Sequence, residues 1–240
     1  MSTFHFKHFS VSQANATMKV GTDAMLLGSL VSLDDQPSTV LDIGTGTGVL
    51  ALMITQRSKD AIVMALEIDE DACREAEDNF SSSAWSNRLV SIEEDILEIE
   101  FDDQFDLIIS NPPYYENSLI SENDRTSRAK HAEFLPVDLL VEKVDELLTD
   151  EGSFWVIIPS ENKNTWIDQA QKNDLYVQQS ISIIGKEGQG EKRLVLAFGR
   201  EKIPVSSTQL TVRDKNGNYS AAYIELTKEF HDRDLSQESK

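Results

Sequence analysis

From Val40 onward, apolar residues fall in short runs, and between the runs they recur at helical spacing. Val40-Leu41-Asp42-Ile43 reads as a buried strand, broken by the glycines that follow. Val49 to Arg57 then reads as a helix whose apolar side is Leu50, Leu52, Met53 and Ile54. A strand over Ile62 to Glu67, a helix over Glu70 to Phe80 and a short strand over Leu89 to Glu93 come next. Phe105 to Ser110 is a fourth strand, stopped by Asn111-Pro112-Pro113 because proline cannot continue a central ladder. Pro136 to Leu148 has helical spacing at Val137, Leu140, Val141, Val144 and Leu148, with Pro136 acceptable in the first turn. Gly152 to Ile158 is a fifth strand and Lys163 to Lys172 a helix. Val177 to Ile184 and Arg193 to Phe198 have no helix between them, only the glycine-bearing Gly185 to Gly190, so they pair antiparallel. Leu210 to Phe230 reads as a tail, with a turn at Asn216-Gly217 and a short helix from Ala221 to Phe230.

Strands alternating with helices specify an α/β chain with a parallel sheet covered by helices. At 240 residues one domain is the default, though two small ones would fit. The expected organisation is an N-terminal strand and cap over residues 1–30, a core over 31–200, an extension of the same domain over 201–232, and a polar, disordered tail over 233–240. Phe4, Phe6 and Phe9 suit one core-facing side of an N-terminal strand better than base stacking. No stretch approaches the ~18 consecutive apolar residues of a membrane span, and Met1 to Ser12 lacks the apolar region of a signal peptide. Cys73 is alone, in a good helix sequence, which excludes an internal disulfide, fits a reducing cytoplasm and suits a structural cysteine. His5, His8, His131 and His231 are scattered, so no metal site is expected. A monomer is assumed.

The net charge of −20 weighs against a nucleic-acid partner, because phosphate neutralisation supplies much of such affinity. Screening over about 8 Å makes a local patch matter more than the total. Many of the acids lie in Glu67 to Asp78 and Glu93 to Asp103, and a solvated face accounts for most of them.

The first strand ends in Asp42-Ile43-Gly44-Thr45-Gly46-Thr47-Gly48, directly before a helix. Glycines at such a turn let backbone amides approach a ligand closely. A dinucleotide fingerprint starting at Gly44 and Gly46 would need glycine or alanine at position 49, where Val49 stands. Strictly alternating Gly44, Gly46 and Gly48, preceded by Asp42, resemble instead motif I of class I methyltransferases. That resemblance implies S-adenosyl-L-methionine as cofactor, its methionine portion in the loop and its amino group near Asp42. Glu67, ending the second strand, sits where a carboxylate accepts both ribose hydroxyls, a role that nicotinamide and methionine-adenosine cofactors share. Asp95 resembles the acid that accepts from the adenine amino group, with a solvated surface acid as the alternative for it and Glu94. Ile68 and Ile96 are candidate walls for the adenine faces.

Asn111-Pro112-Pro113-Tyr114, at the carboxyl end of the fourth strand, resembles motif IV of amino methyltransferases. An exocyclic amino group on an sp² carbon shares its lone pair with the ring and attacks a sulfonium methyl poorly. The Asn111 side-chain oxygen and the Pro112 carbonyl can hold its two hydrogens and aim the lone pair in line. Asn cannot act as a general base, so the proton leaves after transfer. Tyr114 would stack on the flat base, a contact worth about 1–3 kcal/mol. Families with this tetrapeptide methylate adenine N6, cytosine N4 or a glutamine side chain. A cysteine-dependent carbon methylation is excluded, because Cys73 lies in the wrong element.

The chain as a whole, from about Phe4 to Phe230, resembles the bacterial tRNA(Val) (adenine-37-N6)-methyltransferases. The resemblance rests on Phe4 to Phe9, Met18 to Gly28, the two motifs, Arg125 to His131, Arg193 to Phe198 and Asn218-Tyr219-Ser220. It implies a Rossmann-like class I methyltransferase fold, doubly wound, with a mostly parallel seven-stranded sheet and an antiparallel last strand. It implies a tRNA substrate, and it puts Lys19, Thr22 and Asp23 over the cofactor pocket. Only 41 residues precede Asp42, too few for the long helical domain of release-factor glutamine methyltransferases. Arg125, Arg128, Lys130 and His131 are candidate phosphate contacts, with ion pairs to Asp124 and Glu133 as the alternative. rRNA, DNA adenine or a protein glutamine as substrate, or a cofactor-binding RNA module without turnover, are the rival readings.

Overall fold

The computed structural model describes residues 3–14, 19–113 and 135–237. The chain opens with a hairpin of β1 (Thr3–His5) and β2 (Ser10–Ser12), then α1 (Thr22–Leu30). β3 (Thr39–Ile43), α2 (Val49–Arg57), β4 (Ile62–Glu67), α3 (Glu70–Ser81), β5 (Leu89–Glu93) and β6 (Phe105–Ser110) follow. The second half holds α4 (Val137–Leu147), β7 (Leu148–Pro159), α5 (Lys163–Lys172), β8 (Tyr176–Lys186), β9 (Glu191–Gly199), β10 (Ser206–Arg213) and α6 (Ala221–Thr227).

β3 to β10 form one sheet in the order β10-β8-β9-β7-β6-β3-β4-β5. β9 runs antiparallel to both its neighbours, and every other pairing is parallel. Alternation along the strands fills a core on each face. Val40, Leu107, Ile109, Trp155 and Val195 face one core, with α1 and α2, while Leu41, Ile108, Phe154, Val156 and Leu196 face the other, with α4 and α5. α2 is buried along Val49 to Thr55, so it needs no polar face. α3 is amphipathic; Asp69 caps it by accepting from the Ala72 amide at 2.8 Å, and Glu70 and Asp71 suit the positive end of its dipole. Cys73 is buried on α3, and burial pushes its thiol pKa up, which keeps it protonated.

The sheet corrects the expected strand count: the seven core strands are joined by an eighth, β10, parallel to β8 at the sheet edge. In Ser206 to Arg213 only Leu210 and Val212 are buried, so the half-solvated edge strand has the polarity of a tail. The N-terminal hairpin is packed into the core, with Phe6 and Phe9 stacked at 4.2 Å and Phe9 edge-on to Trp85 at 6.0 Å. It is also clamped by α3. Asn79, buried, accepts from the Ser12 amide at 2.8 Å and donates to the Ser12 carbonyl at 3.0 Å and to Thr47 O at 2.9 Å. Buried Glu75 accepts from the Ser12 hydroxyl at 2.9 Å and the Ala14 amide at 2.6 Å. Near the chain end, Leu235 is buried, where a frayed tail was expected from 233.

The chain goes outward from β3 through β4 to β5, then returns to β6 on β3's other side. In open α/β sheets this reversal opens a crevice at the carboxyl ends of the two strands, where ligands bind. The crevice depends on how closely α3 approaches the β3–α2 turn. Gly48 has φ +78°, and a Cβ there would lie 2.4 Å from Phe80 Cε1. Gly48→Ala therefore adds left-handed backbone strain to overpacking, together about 2–4 kcal/mol. Chemical denaturation should show that loss, and an unchanged unfolding midpoint would mean α3 yields freely.

Candidate functional site

The register aligns the ends of β3, β4, β5 and β6 on one rim. Ile43 pairs with Leu66 on one side and Ser110 on the other, and Glu67 pairs with Glu93. Gly44 and Asn111 are the next residues on their strands. Ser110 is 1% exposed, and its hydroxyl donates to Ile43 O at 2.9 Å, tying the end of β6 to the end of β3.

The glycine loop folds back over β4. The Gly44 and Thr45 amides both donate to Leu66 O, at 2.9 and 3.0 Å, and the Gly46 amide donates to Glu67 Oε2 at 2.8 Å. The other Glu67 oxygen accepts from the Ile68 and Asp69 amides at 3.0 and 3.1 Å. Three backbone donors thus fix this carboxylate at the rim. Gly44 and Gly46 have φ +70° and +56°, and a Cβ on either would meet open space. Of the three predicted glycines, these two line the opening, and Gly48 faces Phe80 and serves the helix contact.

Asp42 is wholly buried below the loop and accepts from the Thr45 hydroxyl at 2.6 Å on Oδ2, while its buried Oδ1 has no hydrogen-bond partner. Burial pushes its pKa up to about 7; the Thr45 hydrogen bond and the Ala51 amide oppose that rise, and the charge of Glu67 adds to it.

Beyond β5, the Glu94 amide donates to Glu67 O at 3.1 Å, and Asp95 Oδ1 accepts from the Leu97 amide at 2.9 Å. Ile96 is buried in the core with Leu41, Ile43 and Leu66, whereas Ile68 is 36% exposed on the rim. Asn111 is half-buried, Pro112 buried and Pro113 exposed. Lys19 and Thr22 are exposed at the start of α1. Asp23 forms an ion pair with Arg193 Nε at 2.9 Å, fastening α1 to the start of β9. Tyr114, Arg125, Arg128, Lys130 and His131 lie outside the described residues.

Sequence reasoning missed Ser110, Thr45 and Asn79. A serine ending the apolar Phe105 to Ile109 run was the available signal for Ser110; Asn79 carried none, since its partner segment lies 67 residues away. Among the described residues there is no cluster able to hold a metal ion, and no helix long and apolar enough to cross a membrane.

Residues 16–173 match the family described as methyltransferase small domain. The chain is 37% identical to the tRNA1(Val) (adenine(37)-N6)-methyltransferase of Flavobacterium psychrophilum, over 95% of this chain and 98% of that one. It is 38% identical to the protein of the same name from Bacteroides thetaiotaomicron, over 95% and 96%. Among solved structures, a predicted O-methyltransferase from Agrobacterium tumefaciens shares the fold, with a TM-score of 0.68 at 18% identity, covering 87% of this chain and 96% of that one.

The Asp42 carboxyl has a pH signature. Its folded pKa of about 7 lies above the ordinary 3.8, so between those values the folded state holds a proton the unfolded state has lost. Its contribution to stability is therefore greatest below pH 4 and falls by up to about 1.4 kcal/mol per pH unit as pH rises towards 7. Denaturation of the ligand-free protein across that range should show Asp42→Asn losing less stability than wild type as pH rises. Parallel curves would mean Asp42 titrates normally.

Proposed function

The chain belongs to the tRNA1(Val) (adenine(37)-N6)-methyltransferase family, and we infer that it transfers the methyl group of S-adenosylmethionine to N6 of adenine 37 in tRNA(Val). The observation that carries this reading is the adjacency of two sites. The Asp42 to Gly46 turn on β3 and Asn111-Pro112 on β6 sit on neighbouring strands, joined by the Ser110 hydrogen bond.

The residues present fit the cofactor. Asp42 Oδ1, buried and unpartnered, matches a cationic α-amino group, and the space before Gly44 and Gly46 admits a chain running along the loop. Glu67, held by its three amides, would accept the ribose hydroxyls. Asp95 spends one oxygen on the Leu97 amide and keeps the other for the adenine amino group. Ile68, on the rim, would cover one adenine face, with Ile96 supporting the other side from the core. Lys19 and Thr22 would close the pocket from α1, where Asp23 acts through its tie to Arg193.

The bound cofactor supplies an electrophilic methyl group on a positively charged sulfur. The protein's task is to orient a weak nucleophile. Asn111 and the Pro112 carbonyl would accept the two N6 hydrogens, which draws the lone pair out of the ring; Pro112 itself has no N–H to compete. Tyr114 would stack on the base, and Arg125, Arg128, Lys130 and His131 would contact phosphates nearby. Asn111 has no basic lone pair, so the N6 proton departs after transfer, to water or another group. We place the enzyme in the cytoplasm, acting as a monomer.

Single-turnover methylation of tRNA(Val), with cofactor affinity measured alongside, separates these roles. Asn111→Ala should keep cofactor binding and lose about 10²–10³ in rate, as when one donor or acceptor at a reacting centre is removed. Asn111→Asp, which keeps an acceptor, should lose less. Wild-type turnover by Asn111→Ala would end the catalytic assignment.

Glu67→Ala should do the reverse, weakening the cofactor at least about tenfold through lost charge-assisted hydrogen bonds. Calorimetry giving wild-type affinity for that variant would move the ribose elsewhere.

A further inference from the structure

The rim is electrically divided by β6. On the β3–β4–β5 side the strand ends carry mainly carboxylates, among them Glu67, Asp69, Glu93, Glu94 and Asp95. This half suits a cationic cofactor and repels phosphate. The other side carries both signs, with Glu161, Glu187, Glu191 and Asp214 among the acids, and there β8 and β10 end in Lys186 and Arg213, which are register partners in a parallel pair. Register partners send their side chains to the same side of the sheet, about 4.8 Å apart at the backbone. Both are half-buried, and neither has a carboxylate partner among the described residues. Like charges side by side across a ladder are unfavourable unless an anion lies between them.

Arg213 is also held in position. Its guanidinium lies 4.0 Å from the centroid of the Tyr219 ring, and Tyr219 is stacked on buried Tyr223 at 4.9 Å. Arg213 Nη1 donates to Gly217 O at 2.8 Å. The acid nearest in sequence, Asp214, is engaged elsewhere: it accepts from the Asn216 and Asn218 amides at 2.8 and 2.9 Å, which help hold its pKa below the usual value. The Glu187 amide donates to Arg213 O at 2.8 Å, joining the β8–β9 hairpin tip to the end of β10, and Glu187 pairs with Lys215.

We propose that Lys186 and Arg213 form a phosphate-binding subsite that holds the backbone of the tRNA substrate while its target base lies at Asn111. The inference rests on the tRNA-methylating reading above. β10 stands four strand positions from β6, about 19 Å across the sheet. That distance is too great for the target nucleotide itself, so the subsite engages a neighbouring part of the anticodon arm. The stacked guanidinium offers its remaining N–H groups to phosphate oxygens, and Lys186 adds a second charge beside it.

The test uses the whole protein and tRNA(Val) transcript, with Lys186→Gln, Arg213→Gln and the double variant. Steady-state methylation, tRNA binding across a salt series and cofactor affinity are each measured. The double variant should raise KM for tRNA about tenfold and reduce the salt slope of binding by nearly two ion equivalents. Its kcat at saturating tRNA and its cofactor affinity should stay at wild-type values. Lys186→Gln leaves the Arg213–Tyr219 stack intact, so it should show about half the slope change without loss of fold. Lys59→Gln, before β4 at the opposite sheet end, should change neither quantity. Wild-type KM and slope in the double variant, with wild-type methylation active, would remove the subsite and leave the function standing. Failure of the wild-type protein to methylate the transcript would overturn the function and the subsite together.

Discussion

Everything at the rim depends on the glycine loop turning back onto β4. Two amides, from Gly44 and Thr45, converge on the single carbonyl of Leu66, and the Gly46 amide reaches Glu67. That path needs positive φ at Gly44 and Gly46, where a side chain would add strain and fill the opening. The same turn carries the chain into α2 and closes over Asp42. It also orients Glu67, whose three amide contacts come from the loops after β3 and β4. Substituting either open glycine therefore reaches Glu67 and the buried Asp42 together.

Asp42 is the costly element of this arrangement. A carboxyl with one unpartnered buried oxygen works against folding whenever it is ionised. A cationic amino group at Oδ1 would favour the ionised form, so cofactor binding and proton release at Asp42 are linked: each lowers the free energy of the other. Near neutral pH the carboxyl stands close to half-protonated without ligand, which is where such coupling has most effect.

β4, β5, β6, α2 and α5 were legible in the sequence and fall on the residues expected: β6 and α2 are near-continuous apolar runs, while β5, at the other sheet edge, and the half-exposed α5 were bounded by the residues that flank them. β10 was not, since an edge strand with one wet face has too few apolar positions to stand out. α1 was read only as a segment over the pocket. It is buried all along Ala24 to Ser29, so it carries no helical period, and Gly28 is needed where Met53 comes within 2.7 Å of a would-be Cβ. For the site, the sequence placed Asp42, Glu67, Asp95 and Asn111 at or just past strand ends, where the structure has them, but gave no sign of how they are held. Which glycine faces the opening and which faces Phe80 depends on packing between elements. The Asp23–Arg193 ion pair joins positions 170 residues apart, and no local pattern announces it.

The total charge of −20 and an RNA substrate are compatible once charge is assigned to ends of the sheet. Asp34, Asp35, Asp60, Asp102 and Asp103 precede β3, β4 and β6, which places them at the end opposite the crevice. Strands of five or six residues at about 3.3 Å each separate those acids from the rim by roughly 17–20 Å. That is about two Debye lengths at physiological salt, so their repulsion at the rim is largely screened. Of the acids that reach the rim, Glu67, Glu93, Glu94 and Asp95 lie on the β4–β5 half, where a positively charged cofactor would compensate them, and Glu161, Glu187, Glu191 and Asp214 lie on the other half beside Lys186, Arg193 and Arg213. An RNA approaching the crevice would meet a carboxylate-rich side on β4 and β5 and, on the proposed reading, the half-buried Lys186 and Arg213 on the other, a polarity that would help set which way it lies across the rim.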